Sequence, residues 1–215
     1  MKAILGRKLR MTQKFNEDGS MTPLTALEVG PCPIVQIKTV ETDGYNALQI
    51  GFLPVKEKNQ SKAAIGHFKK AGLEPHRIVQ EVRVDSTEGY EVGQKIGGST
   101  FEEGDIVDVV GVSKGRGFQG GVRRHNWHGG RKTHGSMFHR RIGAIAAGTG
   151  QHRIFKGKAL PGHMGHEQVT IQNVKVVQID AENGIMYIKG GVPGPEGGIV
   201  FVRMTSKTAA KKRSK

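Results

Sequence analysis

Apolar and polar positions alternate over several short stretches of this chain, and one long stretch shows no period at all. Leu24, Leu27 and Val29 interleave with Thr22 and Thr25 and stop at Gly30-Pro31, so residues 21–29 read as a strand followed by a turn. Residues 34–40 and 47–51 follow as strands, parted by the turn pair Asp43-Gly44. Residues 78–84 alternate as a half-buried strand should, and residues 106–112 are rich in β-branched valine. Farther on, the runs 169–179 and 185–189 flank Glu182-Asn183-Gly184. Asn-Gly between apolar runs supplies positive φ angles and predicts a tight hairpin. Residues 199–203 close the series. One helix interrupts it over 61–71: Ser61 is its N-cap, Ala64, Phe68 and Ala71 share a face, and Gly72 stops it. Many short strands with so little helix predict a mainly β protein built on a closed β-barrel.

Charge divides the chain in a way that periodicity alone does not. The net charge is +14, from 33 Lys and Arg against 19 Asp and Glu. Between Asp108 and Glu167 there is no acid, and the eleven cations of residues 109–166 supply +11 of that excess. Seven of the nine histidines and fourteen of the 32 glycines also lie there. The remaining 22 cations face 19 acids, a near-neutral balance. Three divisions follow: a barrel body over 1–108 and 167–204 with a helical insertion at about 56–77, a glycine-rich basic arm over 109–166, and a basic disordered tail over 205–215.

The arm scatters its apolar side chains singly, with too little apolar surface to offset the entropy of ordering nearly sixty residues. It therefore needs an external partner to order it. RNA fits: phosphates neutralise Arg and Lys, glycines admit close backbone approach, and aromatic, histidine and guanidinium planes stack on unpaired bases. The side chains expected to meet RNA are Lys114, Arg116, Phe118, Gln119, Arg123, Arg124, Trp127, His128, Arg131, Lys132, His134, His139, Arg140, Arg141, Arg153, Phe155, Lys156, Lys158 and His163.

Other chemistry fits less well. Gly115-Arg116-Gly117-Phe118-Gln119-Gly120 has the spacing of a dinucleotide-binding loop. The following Gly121-Val122-Arg123-Arg124 opens no amphipathic helix, however, and no acid stands some twenty residues on. His125, His128, His134 and His139 have neither cysteine nor carboxylate beside them, and the arginines around them repel a dication. A hydrolytic triad needs an acid near the histidines, and the acids lie elsewhere. The reading is a non-enzyme with no catalytic residue, metal, cofactor or small-molecule substrate. Apolar runs such as 106–112 are far too short for a bilayer, and the glycines of the arm deny it an amphipathic basic helix for a membrane surface. The N-terminal residues lack the apolar stretch of a signal peptide. The single cysteine, Cys32, excludes an internal disulfide and reads as a buried thiol in a reducing compartment.

Phe101, Asp108, Gly111, Ser113, Gly115-Arg116-Gly117, Gly120 and Arg124, at these spacings, resemble the signature of the universal large-subunit ribosomal protein family L-three in its bacterial form. Met11-Thr12, Gly66-His67-Phe68, Lys70-Ala71-Gly72, Thr133-His134-Gly135-Ser136, Phe155-Lys156-Gly157-Lys158 and Gly162-His163-Met164-Gly165 are similar too, so the likeness spans nearly the whole chain. The resemblance implies a six-stranded barrel of the translation-protein type, with the arm threading large-subunit ribosomal RNA toward the peptidyl-transferase centre. It also implies early assembly, a cytoplasmic ribosomal location, and neighbours of the L-fourteen and L-nineteen families. Two positions depart from the pattern. Arg10 stands where glycine is usual, and Thr149 stands where some relatives carry a methylated glutamine at the tip of the arm.

Overall fold

The computed structural model describes residues 2–145, 148 and 153–205. Thr149 and residues 206–215 of the expected tail lie outside them. The chain divides into two compact units, one of Lys114–Glu167 and the other of the residues on either side of it.

Six strands of the first unit close into a barrel: β1 (Ala3–Phe15), β2 (Met21–Val29), β7 (Ile106–Val112), β10 (Gln168–Asp180), β11 (Ile185–Lys189) and β12 (Ile199–Met204). Their order around the barrel is β1-β12-β7-β10-β11-β2, antiparallel throughout. Closure leaves no free sheet edge, and alternate side chains point inward. Ile4, Leu27, Val29, Val107, Val109, Val176, Met186, Ile188, Val200 and Val202 fill that interior. The mainly β class and the six-stranded barrel match the expectation.

The other expected strands are not barrel strands. β3 (Cys32–Lys38), β4 (Ala47–Pro54), β5 (His76–Arg83) and β6 (Lys95–Ile96) form a second sheet in the order β5-β4-β3-β6. Ile34, Leu48, Ile50, Phe52 and Val82 pack from it into the same apolar cluster as the barrel core. Cys32 is buried there, its thiol 3.6 Å from Leu5 O, and burial pushes its pKa up to about 11.

Several local expectations need correction. The strand expected over 34–40 ends at Lys38, and Val40 instead opens a helical turn, α1 (Val40–Asp43), closed by Gly44. The hairpin after β10 forms, but as a four-residue loop in which Gly184 alone adopts a positive φ. Asn183 keeps ordinary backbone because its N–H and its Nδ2 donate to the Asp180 carboxylate at 3.1 and 2.8 Å. The strand β1 has no counterpart in the apolar pattern. Its outer half, from Arg10 on, is exposed and pairs with β2 alone, so no inward face imposes an alternation there. Arg10 falls inside the register shift between Lys8 and Met11. Thr205, assigned by sequence to the tail, is buried, and its N–H donates to Ile106 O at 3.2 Å.

The expected helix is α2 (Lys62–Lys70). The Ser61 hydroxyl accepts the Ala64 N–H at 3.3 Å, Phe68 is buried, and the chain leaves through Gly72.

Candidate nucleic-acid interface

The second unit carries little regular structure: β8 (Gly117–Gln119), α3 (Gly121–His125) and β9 (Gly162–Met164). β8 and β9 pair antiparallel, Gly117 with Met164, Phe118 with His163 and Gln119 with Gly162. Arg116 N–H extends the ladder to Met164 O at 2.8 Å. Directly paired residues show their side chains on one face of a ribbon. Phe118 and His163 therefore stand side by side, both exposed, and Phe118 keeps 76% of its surface open. Gly165 follows β9 at φ 75°, where a side chain would be strained and its Cβ would run into the Lys114 carbonyl.

The helix α3 was not expected, since the sequence begins it on Gly121 and gives it no apolar stripe. Its turn closes through Arg124 N–H donating to Gly120 O at 2.9 Å, and Asn126 ends it in the left-handed region at φ 56°. Asn is one of the few residues that tolerate that conformation. The chain then doubles back so that the Trp127 indole lies flat against Gly121, a seat that any Cβ at Gly121 would fill. Arg124 Nη1 donates to Leu160 O at 2.7 Å, and His125 Nε2 lies 3.0 Å from the same oxygen. These contacts pin α3 to the segment that leads into β9. Farther along, Gly130 N–H donates to His139 O at 2.7 Å and Arg141 N–H to Phe138 O at 2.9 Å, so the intervening loop is tied at its base.

This framework holds cations and flat rings outward. Every side chain expected to meet RNA is exposed except Gln119 and Trp127, which are half-buried. Arg131, Lys132, Arg140 and Arg141 lie on and beside the tied loop, where Met137 is 83% exposed. Phe155 is 65% exposed beside Lys156 and Lys158. Four expected residues also have side-chain partners inside the unit: Arg124 at Leu160 O, Trp127 over Gly121, Gln119, whose amide donates to Arg116 O, and Arg123, whose Nη1 donates to Gln119 Oε1 at 3.5 Å. His125, weighed from sequence only within the histidine group and not among the side chains expected to meet RNA, is exposed and shares the Leu160 carbonyl with Arg124. Among the described residues, no group of three His, Cys, Asp or Glu gathers as a metal site. The loop over 115–120 that mimics a dinucleotide motif forms β8 and the lead into a helix of five residues.

The family model described as ribosomal protein L3 matches residues 55–185. The chain belongs to the ribosomal protein L3 family. Three curated relatives named large ribosomal subunit protein uL3 agree with it along almost their whole length. That of Alkaliphilus metalliredigens is 51% identical over 207 residues, covering 96% of this chain and 99% of the relative. That of Petrotoga mobilis is 50% identical, covering 96% and 97%. That of Pelotomaculum thermopropionicum is 49% identical, covering 96% and 98%. These relatives of the L3-family chain are ribosomal proteins and not enzymes. The segment matched by the family model includes the whole second unit, so the acid-free basic stretch belongs to the family likeness and is not an appendage to it.

Proposed function

We propose that this L3-family chain is a structural constituent of the large ribosomal subunit and binds large-subunit ribosomal RNA directly through its second unit. The observation that carries the reading is the pairing of charge with exposure. Eleven cations and no acid fall within residues 109–166, and the described cations among them face solvent on a glycine-permitted backbone. Phosphate contacts position a protein on RNA without any catalytic group, while planes such as Phe118, His163 and Phe155 can stack on bases released from pairing. The second unit is read as the RNA-ordered arm and the first as a body that folds alone. In the cytoplasmic ribosome the arm extends toward the peptidyl-transferase centre, the protein joins early in assembly, and families L-fourteen and L-nineteen supply its protein neighbours.

Two measurements test the reading. In a sedimentation gradient of lysate the chain should travel with the large subunit; a position at the top of the gradient overturns the assignment. Affinity for large-subunit ribosomal RNA should fall roughly a thousandfold or more between low and moderate salt if about six to ten cations meet phosphates. A log–log slope near zero overturns direct phosphate contact.

A further inference from the structure

A second basic surface lies outside residues 109–166. Residues 56–72 carry five cations, Lys56, Lys58, Lys62, Lys69 and Lys70, against one acid, Glu57. Everything outside that stretch and the acid-free segment holds 17 cations against 18 acids, so these two places account for the whole excess. All five lysines are exposed. The one ion pair found among them is Lys69 with Glu57, at 3.9 Å between side chains that are each more than half exposed.

The helix α2 shows what the surface is shaped for. Ala64, Ile65, Phe68 and Ala71 turn toward the protein, leaving Lys62, Ala63, Gly66, Lys69 and Lys70 on the outer face. Two choices on that face work against the helix itself. Gly66 sits mid-helix, exposed, with nothing within 4 Å of where a Cβ would be, so the fold has room for alanine, a better helix former. Lys62 occupies the first turn, which has no acid, where the helix dipole disfavours a cation. Local choices that cost stability without a packing reason mark functional surfaces. The outer face has no large apolar side chain, which argues against a membrane or an apolar protein groove.

We infer that the outer face of α2 is a second RNA-docking surface, on which a phosphodiester backbone rests against Gly66 between Lys62, Lys69 and Lys70. The inference depends on the RNA-binding reading of the chain and adds a contact outside the second unit. The glycine lets the sugar-phosphate chain approach the helix closely, and the lysines neutralise its phosphates.

The test uses the full chain and purified large-subunit ribosomal RNA. The triple variant Lys62→Gln, Lys69→Gln, Lys70→Gln should keep its thermal transition and bind at least about tenfold more weakly, with a salt slope shallower by about two. Gly66→Ala should melt higher than the parent and yet bind more weakly. Unchanged affinity and slope in the triple variant, or full affinity in Gly66→Ala, overturns the inference. Poor incorporation into subunits with unaltered binding to naked RNA assigns the face to a protein and overturns it as well. A companion variant, Arg131→Gln with Lys132→Gln, separates the two levels. If it weakens binding and the α2 triple does not, only this inference falls; if neither does, the RNA reading of the chain falls.

Discussion

Asp108 and Asn173 meet where β7 and β10 slip register, the Asp108 carboxylate accepting the Asn173 N–H at 3.1 Å. Asn173 stands in the left-handed region at φ 57°, so its N–H is turned out of the ladder and needs a partner of its own. Asp108 is buried, with Arg203 Nε 4.0 Å from its second oxygen, and the Thr205 hydroxyl donates to the Asn173 side chain at 3.3 Å. An aspartate counted in the family likeness is thus occupied in holding a barrel irregularity, not in chemistry.

Removing that acceptor should cost about 1 kcal/mol, since Asp108→Ala takes away the buried carboxylate that accepts the part-buried Asn173 N–H. Asn173→Gly should be tolerated far better than Asn173→Val, because glycine keeps the left-handed backbone and valine does not. Urea unfolding of the three variants checks the order. A stable Asn173→Val would show that the bulge does not need its φ.

Cys32 should be unreactive in the folded protein. An ordinary thiol ionises near about 8.5, whereas burial raises this one to about 11. Little thiolate is present at neutral pH, and none of the side chain is exposed. Alkylation should therefore wait for unfolding. Because the folded-state value is the higher one, the stabilisation from the neutral buried thiol is complete below the unfolded pKa and is lost as pH climbs toward 11. A Cys32→Ala variant should lack this alkaline decline. Rapid labelling of the native protein at neutral pH would contradict the burial.

The acid side of the stability profile should report Glu81. Lys38 Nζ lies 2.9 Å from one carboxylate oxygen and the Tyr45 hydroxyl donates to the other at 2.8 Å. The Lys38 hydrogen bond first, and that from Tyr45 second, hold the carboxyl below its usual range. A depressed folded-state pKa adds stability above the unfolded value of about 4.3 that is lost as pH falls through the folded one. Hydrogen bonds from Lys38 to Glu81 first, and to the Tyr45 hydroxyl at 3.1 Å second, raise Lys38, whose share is present below the ordinary lysine range and lost only above it. Glu81→Gln should then be less stable than the parent at neutral pH, with the gap narrowing in acid. A gap that stays constant across the acid limb would show that the pair is not coupled to folding.

The single tryptophan offers a direct probe of the second unit. Its indole covers Gly121, and a methyl group there would displace it. Gly121→Ala should shift Trp127 emission to the red and weaken RNA binding while leaving the barrel's unfolding transition in place. An unshifted spectrum would mean that the indole is not seated on α3.

The sequence by itself determined five of the six barrel strands, the limits of α2 and the partition of charge. Each is written in local residue order: valine and isoleucine alternation over β7 and β11, Ser61 and Gly72 around Phe68, and the absence of acids between Asp108 and Glu167. Only the tertiary structure decided which strands share a sheet. Ile34 and Ile50 look no different from Val107 in sequence, since alternation reports a buried face and not the partner that covers it. The partner is chosen by long-range backbone hydrogen bonds, which put β3, β4 and β5 beside one another and outside the barrel. All of β1 escaped notice, because the apolar run at its buried end is only Ala3-Ile4-Leu5 and its outer half is held by pairing with β2 rather than by burial. In the basic segment, composition pointed to the exposed cations. That Arg124 spends its guanidinium on Leu160 O, and that Trp127 covers Gly121, depended on contacts between residues made neighbours only by the fold.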